Sequence, residues 1–337
     1  MSTQLKKLSD AGTWELVFLS TGKRAIANKW VYSKKEGAKA AEATAEDSNL
    51  HTARLVARGD LQSKGVDYDE TFAPVVKLVS LRLLLTHAAR KDIDIHHWDI
   101  IAAFLSGDLT QEVYMKQPTG FEDGTGRVCK LKKSIYGLCQ SARAFYQKLD
   151  SVLKDKHWTR LNTEWAMWKD PYGNMIGSHV DDMCVVAGPE VRKDLKKALE
   201  NEGILVHELG ELDTYVGIQI TRERERKQIY LYQEEYTAKV LKLFGMEDCH
   251  PVNTPFEPKT FRGDPLTSED RRQYQKLVGC LLYMMHATRP DLSFATIRLS
   301  QFASAPLTDY WLALKRLLRY LKGSLSAKLI LGDVDQV

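Results

Sequence analysis

Two short apolar runs, residues 174–176 and 183–187, flank the tetrapeptide His179-Val180-Asp181-Asp182. Runs this short around a polar pair read as a β-hairpin with the aspartates at its turn. Adjacent aspartates there are forced within a few ångströms of each other, a cost that a cation relieves. Val180 and residues 183–186 are apolar, which makes the hairpin half-buried and not a plain solvated turn. Asp is also an ordinary turn residue, so the pair alone does not establish a metal site. A third carboxylate is required. Residues 93–101 (IDIHHWDII) alternate apolar and polar like a strand and carry Asp99 in surroundings that look buried, where an unpaired carboxylate would be expensive.

The flanking elements set this group in a layer. Residues 78–90 have an amphipathic helical pattern, 140–156 read as helix, and Gly188-Pro189 opens a charged helix over 189–202, with proline at the first helical position. Strand, helix, hairpin and helix predict an α+β layer with the carboxylates gathered on a sheet. The chain then becomes helical over 269–287, 291–303 and 308–322, the last closing on Gly323 as a C-cap. Residues 36–50 and 251–268, the latter with four prolines, are expected to be connections, the second marking a subdomain boundary.

With 337 residues, 44% hydrophobic and 27% charged, the chain has the composition of a globular protein of two or three subdomains. A net charge of +4 is too small to argue for a polyanionic partner. Residues 127–160 hold nine Lys/Arg against two Asp, a phosphate-facing stripe or a solvated helix face. The five cysteines are odd in number and form no CxxC pair, which points to a reduced intracellular protein without structural zinc. No apolar run approaches the ~20 residues of a membrane span, and the first residues have no apolar signal core. Clustered carboxylates holding two Mg²⁺ ions would serve in-line phosphoryl transfer. On these residues alone, nucleotidyl transfer and metal-dependent nuclease chemistry both stay open.

Longer motifs narrow the choice. TARLVARGDLQSKGVDYDETFAP (52–74), WDIIAAFLSGDLTQEVYMKQPTGF (98–121), LKKSIYGLCQSARAFY (131–146) and HVDDM (179–183) occur in the order found in copia-type LTR retrotransposon reverse transcriptases, which this chain resembles. Residues 209–220, 243–255, 274–295 and 310–323 agree, so the resemblance covers nearly the whole chain. It implies an α+β right-hand polymerase: fingers mainly from 1–95, a first palm segment 96–114, fingers and palm over 115–146, a ferredoxin-like palm over 147–232, and a helical thumb or connection from 233 to 337. Asp99, Asp181 and Asp182 would be the catalytic, metal-binding carboxylates for two Mg²⁺, with Mn²⁺ as an alternative. Phe104 would exclude a 2′-hydroxyl unless it only packs the core, and Gln140 would contact the incoming nucleotide. Arg54 or Arg58 would grip its triphosphate, where a forked donor suits phosphate, the alternative for either being a surface salt bridge. The hairpin at 215–220, with Tyr215 and Gly217, resembles the primer-holding hairpin, a plain sheet strand being the alternative, and His179 would lie near the primer end or, protonated at acidic pH, repel metal.

Partners implied are an RNA template, a DNA or tRNA primer and dNTPs, with a cytoplasmic location in a virus-like particle, or a nuclear one. The chain departs from the family at His179 (usually Tyr), Cys139 and Ser141 (usually Lys and Pro) and Ile101 and Ala102 (commonly polar). No acidic RNase H segment follows before Val337. An inactive nucleic-acid-binding relic is therefore the competing expectation.

Overall fold

The computed structural model describes residues 1–34, 51–258 and 260–333; the connection expected over 36–50 lies outside the described residues. The chain forms two compact units, Met1–Val76 with Trp98–Leu209 and Lys77–His97 with Gly210–Val337. The division does not fall at 251–268. That stretch carries no helix or strand among the described residues before Ser268, as its prolines require, but it belongs to the second unit. There Phe256 and Phe261 pack on the helical core and Arg316 pairs with Glu257 at 2.7 Å.

The first unit contains most of a six-stranded sheet in the order Val206–Glu211, Ile95–Ile100, Asp182–Val186, Met175–His179, Met167–Lys169, Thr159–Arg160. Helices Ser141–Asp155 and Pro189–Asn201 cover one face. Trp98, Ile100, Met183, Val185 and Ala187 point into that covered core beside Phe145, Leu149, Val152, Leu195 and Leu199. Because side chains alternate along a strand, Asp99 and Asp182 share the opposite face. A second sheet, Trp14–Val17, Val128–Lys133, Asp108–Met115 and Ala25–Ile26, closes over Leu8, Ile26, Leu55 and Val113, while Asn28–Lys34 pairs antiparallel with His51–Ala57. Burial of these apolar side chains is the dominant stabilising term.

In the second unit, strands Thr214–Tyr215, Ile218–Glu223, Gln228–Tyr232 and Leu329–Gly332 form a sheet, and helix Leu78–Lys91 packs against it. Helices Glu234–Leu243, Ser268–Ala287, Ser293–Ser300 and Thr308–Gly323 enclose their own core around Tyr274, Leu281, Leu314 and Leu318. The expected helix over 291–303 is shorter, because a 3-10 turn at Pro290–Leu292 precedes it. Gly323 is not a C-cap. The helix runs through it to Ser324, and its missing side chain admits the Pro251 Cβ to 3.0 Å of where a Cβ would stand.

The basic stripe does not form a free surface. Lys130 pairs with Glu112, Lys132 with Glu15, Arg127 with Asp123, Lys148 with Glu202 and Lys154 with Asp150, over several elements of the first unit. Most of its charge is locally neutralised.

Candidate active site

The hairpin places the aspartates as the pattern required. Met175–His179 pairs with Asp182–Val186, His179 opposite Asp182, leaving Val180-Asp181 as a two-residue turn. Val180 has φ +60°, unusual for a β-branched residue. Such strain persists only where the surroundings over-determine it, and it clusters at functional sites. Ser178 Oγ donates to the Val180 carbonyl at 3.1 Å, and the Val76 N–H donates to the Ser178 carbonyl at 2.9 Å. The Ile100 N–H donates to the Asp181 carbonyl at 2.8 Å, tying the residue after Asp99 to the tip of the hairpin. Asp99 and Asp182 are half-buried and Asp181 is exposed at the tip. Burial nevertheless raises the Asp181 pKa above 3.8, the charges of Asp182 and Asp99 raise it further, and His179 opposes them. The three carboxylates and His179 therefore share one electrostatic neighbourhood.

The strand ends at Ile100; Ala102 is left-handed at φ +53°, and a 3-10 turn over Ala103–Ser106 carries Phe104. The Phe104 ring meets the Tyr136 ring edge-on, centroids 4.9 Å apart. Tyr136 belongs to a segment held by polar contacts on several sides. Ser134 Oγ donates to the Phe104 carbonyl, and the Tyr136 carbonyl accepts from the Ala57 N–H at 2.8 Å. The Cys139 N–H donates to Gln62 Oε1 at 2.8 Å. The Tyr136 hydroxyl is pushed above 10.0 by burial and by the charges of Asp181 and Asp99, while Arg54 pulls it down. Sequence reasoning passed over Tyr136: the run IYGL contains an aromatic before a glycine, but nothing local in it says which way the ring faces.

The other expected contacts divide. Arg54 is exposed on the His51–Ala57 strand and forms no ion pair with a carboxylate among the described residues. Arg58 instead grips Asp60 through both carboxylate oxygens, Nε at 2.7 Å and Nη2 at 2.6 Å, which is the surface salt bridge that was its alternative. Gln140 is buried; its Nε2 donates to the Asp67 carbonyl at 2.9 Å and its Oε1 accepts from Gln62 at 3.1 Å. Its amide is engaged by the protein, so here it clamps a loop.

Tyr215 and Gly217 lie in the second unit, on a tight hairpin with Val216 and Gly217 at φ +47° and +77°. Tyr215 is 1% exposed and meets the His97 ring edge-on at 5.7 Å, which makes its side chain a core element rather than a contact surface. Gly217 leaves room for Tyr283, whose hydroxyl donates to the Val216 carbonyl at 2.7 Å.

Among the described residues, no three His, Cys, Asp or Glu side chains converge as a ready-made metal cage. The chemistry of the donor set does suit a hard divalent cation: the carboxylates of Asp99, Asp181 and Asp182 offer only oxygen ligands, and a cation would relieve the repulsion that raises Asp181. The thiol on the hairpin strand itself, Cys184, is fully buried and its pKa is driven up by that burial.

Residues 11–258 match the family model described as reverse transcriptase (RNA-dependent DNA polymerase). The chain is 35% identical to the retrovirus-related Pol polyprotein from transposon TNT 1-94 of Nicotiana tabacum, covering 100% of this chain and 26% of that protein. It is 36% identical to the polyprotein from transposon RE2 of Arabidopsis thaliana, covering 93% of this chain and 21% of that protein. A solved foamy viral protease-reverse transcriptase with double-stranded DNA superposes with a TM-score of 0.48 at 13% identity, covering 97% of this chain and 48% of that one. The chain thus spans about a quarter of the length of these curated relatives. With three quarters of its length matched by one family model, this chain belongs to the reverse transcriptase (RNA-dependent DNA polymerase) family, in the branch of retrotransposon Pol polyproteins.

Proposed function

We propose that the chain is the polymerase core of a copia-type retrotransposon, transferring a nucleotidyl group from a dNTP to a primer 3′-hydroxyl on an RNA or DNA template. The observation that carries this reading is the shared neighbourhood of Asp99, Asp181 and Asp182, held by the Ile100–Asp181 backbone bond within a chain of this family. Asp99, Asp181 and Asp182 would hold the divalent ions, Mg²⁺ or Mn²⁺. Bound there, the ions would activate the 3′-hydroxyl and neutralise charge on the triphosphate. The strained turn holds Asp181 at the hairpin tip, and the strand register keeps Asp182 and Asp99 on one face. Arg54 supplies a forked cation for phosphate, and Phe104 supplies the wall that rejects a 2′-hydroxyl. Most of the catalysis is then positioning and charge stabilisation. Fingers, palm and thumb, a tRNA primer and a particle-associated location follow from the family and belong to the same proposal.

The second reading is an inactive nucleic-acid-binding relic, favoured by the lack of a converged metal cage among the described residues. Primer extension on a primed RNA template with Mg²⁺ separates the two, comparing the parent with Asp181→Asn, which removes the charge and keeps the volume. Extension by the parent that is lost in the variant supports the polymerase reading. If neither extends the primer while both bind it with strong salt dependence, the relic reading wins.

A further inference from the structure

We propose that Tyr136 is a positioning residue for sugar selection: its ring fixes the Phe104 ring in place, and the pair, rather than Phe104 alone, forms the wall against a 2′-hydroxyl. This rests on the polymerase reading above.

Phe104 is only half-buried and sits on a short 3-10 turn after a left-handed residue, a setting that leaves an unsupported ring free to change rotamer. One side of it packs on the core beneath the sheet. Its edge-on partner is Tyr136 at 4.9 Å, and such aromatic pairs gain from geometry beyond the area they bury.

Tyr136 can act as a stop because its backbone has no freedom. Gly137, at φ +91°, presses against the end of the His51–Ala57 strand so closely that a Cβ there would overlap the Ala57 carbonyl and lie 2.5 Å from Val56 Cγ1. Gly59 is pressed in turn against the Gly137 carbonyl. Ser141 Oγ donates to the Ile135 carbonyl, and the Cys139 thiol to that of Gly59 at 3.2 Å, so both ends of the segment are anchored. The strand against which Gly137 is locked is the one that carries Arg54, and the charges of Arg54, Asp99 and Asp181 all bear on the Tyr136 phenol. The ring is therefore within reach of the charges of the carboxylates and of Arg54, and it lies beside the residue that would read the sugar.

The test is the ratio of kcat/KM for a dNTP to that for the matching rNTP, in the full chain with primed RNA. Tyr136→Leu should lower the ratio about tenfold, because the stop is lost, while Tyr136→Phe keeps the ring and stays near the parent ratio. Tyr136→Leu on a Phe104→Ala background should produce no further loss, since there is no ring left to hold. Circular dichroism and melting check that each variant folds, and Tyr136→Met replaces the leucine variant if that one does not. An unchanged ratio in the folded variant, or a loss that simply adds to that of Phe104→Ala, overturns the proposal while leaving the polymerase reading intact. A parent chain that extends no primer overturns the polymerase reading and this inference with it.

Discussion

Replacing Gly137 by alanine tests how the site is held. The left-handed φ of +91° costs a side-chain-bearing residue about 1–2 kcal/mol. The added Cβ must also displace the Ala57 carbonyl and Val56 Cγ1, the latter 2.5 Å away. Backbone shifts of that kind cost about 1–3 kcal/mol. If the shift breaks the 2.8 Å bond from the Ala57 N–H to the Tyr136 carbonyl, about 1 kcal/mol more is lost. The sum is about 3–6 kcal/mol. Gly22→Ala is the comparison: its φ of +79° is similar, but nothing lies within 4 Å of the new atom, so it should cost about 1–2 kcal/mol. Urea unfolding followed by tryptophan fluorescence is suitable, because Trp14, Trp30, Trp98, Trp158, Trp165 and Trp168 all lie in the first unit and only Trp311 in the second. With a slope of about 2 kcal/mol per molar urea, the midpoint should fall by about 1.5–3 M for Gly137→Ala and by about 0.5–1 M for Gly22→Ala. Equal shifts would refute the reasoning, since they would mean that the backbone angle, and not the close approach, is all that Gly137 provides.

Two further outcomes are expected. Arg54→Ala should raise the KM for dNTPs about tenfold or more while Arg58→Ala changes it less than about twofold, because Arg58 is already gripped by Asp60 and a charge-assisted bond to phosphate is worth about 1.5–3 kcal/mol; steady-state kinetics on one template checks both. Asp181 holds its proton to a higher pH folded than unfolded, so its contribution to stability is fully present below its unfolded pKa and lost as pH rises through its raised folded pKa. Asp181→Asn should then melt higher than the parent at pH 7 in EDTA, with the gain vanishing below about pH 3.8, the ordinary carboxylate value, and a lower melting point at pH 7 would contradict it.

What the sequence determined by itself is what short-range chemistry controls. The helix expected over 78–90 is Leu78–Lys91, that over 140–156 is Ser141–Asp155, and that over 189–202 is Pro189–Asn201 behind its Gly188 N-cap. The HVDD hairpin falls where two apolar runs and a polar pair required it, because hydrophobic period and turn preference are set within a few residues. The alternation of 93–101 also put Asp99 on the face away from Trp98 and Ile100. What only the tertiary structure decided is which partner each side chain meets. Gln140 reaches across 73 residues to the Asp67 carbonyl, Gly137 is pressed against the end of a strand about 80 residues earlier, and Tyr136 closes on Phe104 from a different segment. Gly323 could serve as a helix stop by its type, yet the approach of Pro251 makes it a spacer inside the helix. The limits of the two units likewise follow from long-range packing, which drew 77–97 into the unit with 210–337. Such contacts join residues far apart in the chain and leave no periodic trace in the amino-acid order, so they become visible only once the chain is folded.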